Sequence, residues 1–256
     1  MSDDKSSDDK SVADEALTEV VAESSDQEFV EPIGSWAWLI TGFLAAIVCF
    51  AVAKVVIAEF QIPLPAEYAQ AVEAAPNGAS TPEMDAIQLS NREANCGQFL
   101  FIVGASMAFV FGWGAGFIHR RLFRSIIGCL VGSAAAYGIG LLVGPSVVEL
   151  SKKATSSATD GDMMTIGLHA LQWFVIGVPV VIAVGIAVMR PSGGLKVFGI
   201  AILAAVLGGL AYMIGGTLLD SSARIAQVYP QPGNAFYVWT CVPPMLLGLF
   251  LSRVRL

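Results

Sequence analysis

Residues 98–144 read "QFLFIVGASMAFVFGWGAGFIHRRLFRSIIGCLVGSAAAYGIGLLVG". Two apolar runs, 98–118 and 125–144, flank a short turn that carries Arg120, Arg121 and Arg124. About 20 apolar residues in a helix cross the hydrocarbon of a bilayer. A pair of such runs joined by a basic turn is the pattern of a membrane hairpin with its turn on the cytoplasmic side.

Working outward, four more runs of the same kind appear, at 36–58, 166–189, 197–219 and 236–252. The last is the weakest, being short and holding Pro243-Pro244. Composition agrees. Of the 256 residues 55% are hydrophobic and 14% charged, and the mean hydropathy is +0.68. An ordinary soluble domain has about 25% charged residues. The expected fold is all-α: a polytopic membrane protein of about six transmembrane helices in a bundle over 36–256.

The net charge of −7 belongs to one end. Residues 1–35 hold eleven acids and two lysines, whereas 36–256 hold ten acids and twelve bases. The segment 1–35 is rich in Ser, Asp and Glu and buries too little apolar surface to offset its chain entropy. It is expected to be a disordered acidic cytoplasmic tail, with Ser11 and Asp14 at capping-box spacing as its one helix signal. It lacks the basic start and early apolar core of a signal peptide, so none is expected.

Orientation follows from the loops. Arg120, Arg121, Arg124, Arg190, Lys196, Arg253 and Arg255 fall on one side, in short segments without acids. The opposite loops hold Arg92, Lys152, Lys153 and Arg224 among ten acids. The first side is expected to be cytoplasmic, with both termini inside and the chain in a cell (inner) membrane. Judged alone, the first span would prefer the reverse insertion, but acids count for little in this rule.

The loop 61–97 is then extracytoplasmic. Thr81-Pro82-Glu83 has the form of a helix start, an N-cap followed by proline and an acid. That helix is expected to run on into the second span. A second short helix is expected at 66–75, ended by the turn signal "PNG".

The strongest periodic signal is a row of small residues at every fourth position. The second span has Gly104, Ala108, Gly112 and Gly116, and the third has Gly128, Gly132, Ala136, Gly140 and Gly144. The fifth has Ala201, Ala205 and Gly209. Residues four apart form one ridge of a helix, and a ridge without bulk lets a partner backbone approach. The ridges are expected to meet each other or another copy of the chain. "AYGIG" at 136–140 and "AYMIG" at 211–215 echo one another, the one hint of a parallel repeat.

Candidates for chemistry are few. Lys54 lies inside the first span, about seven residues past its midpoint, or roughly 10 Å along the axis. Its ammonium can reach the headgroups by snorkelling, or it can face the bundle as a pathway residue. His169 stands one turn from Trp173, an expected interface anchor. Pro179 in "IGVPVV" and Pro243-Pro244 in "CVPPML" each remove a backbone donor mid-span, which either kinks the helix or frees carbonyls to line a site. These five, Lys54, His169, Pro179, Pro243 and Pro244, are the pathway candidates.

No span has a deep Asp or Glu. No metal-ligand spacing, catalytic motif or basic-aromatic patch is present, and "TDGD" at 159–162 falls well short of a calcium loop. The four cysteines form no framework. An enzyme, a cofactor, a metal and a nucleic-acid partner are therefore not expected. Two readings remain: an accessory or scaffold-type subunit in lipid, associating with itself or another membrane protein, and a small-solute channel or transporter.

Overall fold

A computed structural model of the chain describes residues 35–74, 80–156, 161–188, 191–219, 226–230 and 233–254. The expected tail, the "PNG" turn and the first two residues of "TDGD" lie outside the described residues, apart from Ser35. Every regular element among the described residues is a helix. They are α1 Trp36–Glu59, α2 Ala66–Ala74, α3 Pro82–Ile118, α4 Leu122–Ser156, α5 Gly161–Val188, α6 Pro191–Leu219 and α7 Asn234–Leu251.

All but α2 are long and apolar enough to cross a bilayer. The protein is thus an all-α polytopic membrane bundle whose outer surface meets lipid. Exposed Phe43, Leu44, Ile47, Phe109, Leu130, Leu142 and Leu218 supply that surface. In lipid every backbone polar group must be satisfied within the chain, which the helix does without help from neighbours.

Successive spans are antiparallel, so the bundle has two ends. One carries the start of α1 and the end of α7, and is called here the terminal end. The other carries α2. Around the bundle, α1 packs on α3 and α7, α3 on α4, α4 on α5, α5 on α6, and α6 on α7. A direct α3–α5 contact crosses the middle. Accordingly α5 is the most enclosed span, 61% buried, and α4 the least, 28%.

Helix boundaries follow local chemistry. Thr81 caps α3: its Oγ1 accepts from the Met84 amide at 3.3 Å, with Pro82 in the first turn. The helix then runs unbroken through the second span, as the sequence implies. The helix of the third span is longer than its apolar run. It continues past Gly144-Pro145 to Ser156, because one missing N–H removes one bond of the ladder and leaves the rest intact. At the terminal end the chain reverses in three residues, His119 to Arg121, between α3 and α4. Arg120 adopts positive φ, 54°, and Arg121 donates from Nη1 to the Val188 carbonyl at 2.8 Å. That bond satisfies one of the open carbonyls at the end of α5 and places a cation at the negative end of its dipole.

Candidate functional site

Helix backbones approach closely where α3, α4 and α5 meet. A Cβ on Gly97 would lie 3.0 Å from the Gly140 carbonyl oxygen, and one on Gly140 would lie 2.6 Å from that of Gly97. Gly144 faces the Glu93 carbonyl oxygen at 2.9 Å in the same sense. Lower down, Gly128 faces the Ala183 carbonyl oxygen at 2.5 Å and Gly132 that of Pro179 at 2.8 Å. Gly104 meets Ala136 of α4, Gly112 meets Cys129, and Gly116 meets Ser125. Ala108 and Ala136 are both buried. The small-residue rows of α3 and α4 thus meet each other and α5 within one chain. On the other side of the bundle Gly42 of α1 and Gly248 of α7 touch, each in the space where the other's Cβ would stand.

The three mid-span prolines sit in these seams. Pro243 lies against Gly208 of α6, and the Pro244 carbonyl faces Gly42. Pro179 is buried between α3 and α4. Pro243 and Pro244 also border a space of about 20 Å³ at the centre, with Met107, Phe111 and Trp173. That is room for about one water, in apolar surroundings. Lys54 is on the exposed face of α1, beside exposed Val55, and points away from this interior.

Toward the α2 end lies a buried polar layer. His169 and Gln172 of α5, Tyr212 of α6 and Trp239 of α7 are all essentially inaccessible. Trp239 Nε1 donates to His169 Nδ1 at 3.1 Å. Gln172 Oε1 lies 2.9 Å from the same Nδ1, and Gln172 Nε2 donates to the Val228 carbonyl at 2.6 Å. The ring of Tyr212 stands edge-on to His169 at 4.3 Å. An imidazole nitrogen either accepts or donates. The bonds of Nδ1 to Trp239 and to Gln172 therefore exclude each other, and the tautomer selects one.

The companion expectation for His169 does not hold. Trp173 is 5% exposed and packs on Trp239 at 4.9 Å. It is a core residue and not an anchor in the headgroups. The interior of this bundle offers a large aromatic neighbour, which outweighs the usual interfacial preference of tryptophan. The two tyrosines of the five-residue echo have different surroundings. Tyr137 is 55% exposed against Phe101, whereas Tyr212 is 1% exposed against His169.

The segment after α1 is tied down by asparagine. Asn95 accepts from the Ile62 amide at 2.6 Å and donates to the Ile62 carbonyl at 3.1 Å, and Asn91 donates to the Pro63 carbonyl at 2.9 Å. Gln88 donates to the Tyr68 hydroxyl of α2. At the same end a cleft of about 310 Å³ opens between α3, α4 and residues 227–229, lined by Arg92, Ser151, Lys152, Thr155, Gln227 and Tyr229 among others. Tyr229 packs edge-on against Phe99 at 5.4 Å.

Of the pathway candidates only His169 joins a polar cluster. Gln172 was open to recognition as a polar residue one turn from it. Trp239, Tyr212 and Tyr229 were not, since they come from other parts of the chain. No group of three or more His, Cys, Asp or Glu residues capable of holding a metal occurs among the described residues.

Fold and site together define a multi-pass helical membrane protein with a close-packed interior. No protein-family model, no curated protein and no solved structure matches this chain.

Proposed function

We propose that this chain is a non-catalytic accessory or scaffold-type membrane subunit, held in a cell membrane with both termini in the cytoplasm. One observation carries the reading: the α3–α4–α5 seam is closed backbone to backbone. A closely packed bundle suits a part that positions others. The acidic segment 1–35 serves as the tether for a partner in this reading, and the lipid-facing helices as its anchor.

The test is purification from mildly solubilised native membranes of the full chain and of a version lacking residues 1–32. A defined heteromeric assembly that forms with the full chain and is lost without the tail supports the tether. Two identical homo-oligomers, or two monomers, refute it.

A second reading, a small-solute channel or transporter, draws on the buried His169–Gln172–Trp239 layer beneath an open cleft. Buried polar groups within spans are costly and commonly functional. Liposome flux that is lost in His169→Leu favours it, and flux that is absent across a broad solute panel removes it.

A further inference from the structure

We infer that His169 is a proton-operated latch on the first turns of α7, which move on a hinge between Trp239 and Pro244. Gln172 Nε2 donates to the Val228 carbonyl at 2.6 Å. That bond fixes the amide, so its acceptor-only Oε1 faces His169 Nδ1, at 2.9 Å. The indole N–H of Trp239, which can only donate, faces the same nitrogen at 3.1 Å. Without a proton on Nδ1, His169 accepts from Trp239 and turns its lone pair toward the Gln172 oxygen. With one, it donates to Gln172 and turns an N–H toward the indole N–H. Neither state satisfies all three groups, and all three residues are buried, where an unmet polar group is costly.

A proton taken up from solution selects between the two states. It occupies the Nδ1 lone pair, which breaks the bond from Trp239 and makes the bond to Gln172. The hold of His169 thus passes from α7 to the amide that fastens residues 226–230. Val228, which that amide holds, also lines the open cleft, so one side chain separates the imidazole from the wall of a wet space. Among the described residues, the titratable side chain in ring contact with His169 is Tyr212, from α6. Tyr229, Arg92 and Lys152 stand behind Val228 on the cleft wall, and the contact from α7, Trp239, does not titrate.

α7 is weakest where the latch holds it. Pro243 and Pro244 have no N–H, so the ladder bonds to the Trp239 and Thr240 carbonyls are missing. Thr240 Oγ1 donates back to the Phe236 carbonyl at 2.8 Å, an arrangement that bends helices. The space of about 20 Å³ at the centre borders both prolines. Beyond them, toward the terminal end, α7 is clamped. A Cβ on Gly248 would stand 2.7 Å from the Gly42 Cα and from the Trp38 carbonyl oxygen. Toward the α2 end the helix is packed by rings and methyl groups: Phe50 on Phe236 and Tyr237, and Val238 on Gly215. Such contacts are non-directional, and the Trp239–His169 bond adds the direction. Protonation therefore loosens residues 234–239 and leaves 245–251 in place, a local charge change acting on a two-state element. The latch operates under either reading of function and rests on neither.

The experiment uses the full chain in nanodiscs, with its histidine rings labelled with nitrogen-15. The chain has two histidines, and His119→Gln or His169→Gln assigns their signals by loss. The pH is lowered from about 8 to about 5, the range in which histidine changes charge. Nδ1 of His169 should pass from bare to protonated. Over the same interval the protection of amides 234–239 against hydrogen exchange, referred to free-peptide rates at each pH, should fall about fivefold or more, the worth of one hydrogen bond. Protection of 245–251 should hold. At a fixed neutral pH the share of His169 with a proton on Nδ1 should rise in Trp239→Phe, which removes the competing donor, and fall in Gln172→Met, which removes the acceptor. An Nδ1 that stays in one state throughout overturns the latch. So does protonation that leaves the protection of 234–239 unchanged, or a shift of the same sign in the two variants. The titration of the native chain decides the matter even where a variant does not fold.

Discussion

Trp239 Nε1 and His169 Nδ1 meet at 3.1 Å across seventy residues of sequence, and Gln172 Oε1 competes for the same nitrogen from 2.9 Å. This sharing has a measurable consequence. In Trp239→Phe, Nδ1 is free to donate to Gln172. In Gln172→Met it is free to accept from Trp239. Each single change leaves Nδ1 one of these two partners, and only the double change removes both from that nitrogen. The double variant should therefore cost more than the sum of the singles, by about 1 kcal/mol, the net worth of a buried hydrogen bond. Reversible unfolding in mixed micelles measures the cycle. Strict additivity would show that the two bonds are independent.

The seam glycines predict a contrast between two alanines on one helix. A Cβ at Gly128 meets the Ala183 carbonyl oxygen at 2.5 Å, and backbone cannot step aside cheaply. A Cβ at Gly138 meets nothing within 4 Å. Gly128→Ala should destabilise by about 1–3 kcal/mol, the usual range for overpacking. Gly138→Ala should be neutral or stabilise by up to about 1 kcal/mol through loss of unfolded-state freedom. Equal effects in a melting assay would mean that α4 does not approach α5 as described.

Lys54 should prove dispensable for the interior. Its side chain is on the exposed face of α1, so Lys54→Leu should leave the melting midpoint of the bundle unchanged or slightly raised. Any flux the protein supports in liposomes should be unchanged as well. A flux altered by this variant would place the lysine in a pathway that this arrangement does not contain.

Asn95 joins α3 to Ile62 by two hydrogen bonds and to Asn91 by a third, at 2.7 Å. Asn95→Ala should free the segment that leads to α2 while sparing the bundle. Hydrogen exchange at Ile62 and over 66–74 should rise, and the spans should keep their protection. Unchanged exchange there would mean that α2 is held by other bonds.

These relationships differ in how openly the sequence displays them. The spans are visible because lipid acts on composition over about 20 residues at a time, and no tertiary detail is needed to see it. The ridge of Gly128 to Gly144 is visible because helical geometry alone puts its members on one line. Gly97 was hidden, since it stands at the edge of a polar loop with no row around it. Gly42 and Gly248 were hidden because each is a single glycine whose partner is on another helix. Trp173 has the same local surroundings as an interfacial anchor, and only the position of Trp239 turns it inward. Long-range partners of this kind leave no trace in spacing.

Tyr229 offers a prediction in pH. Burial holds its phenol pKa above the ordinary value of 10.0, with Cys96 adding to the rise and Arg92 opposing it. A raised folded-state pKa means that the folded protein keeps its proton where the unfolded chain loses it. The resulting stability is full below about pH 10, the unfolded value, and is lost as the pH rises from there through the folded pKa. Melting midpoints should therefore fall more steeply above pH 10 in the native chain than in Tyr229→Phe, which has no proton to lose. The phenylalanine variant also removes the unpaired buried oxygen, so at neutral pH it should be at least as stable as the native chain. A variant that is less stable at neutral pH would show that this hydroxyl already has a partner.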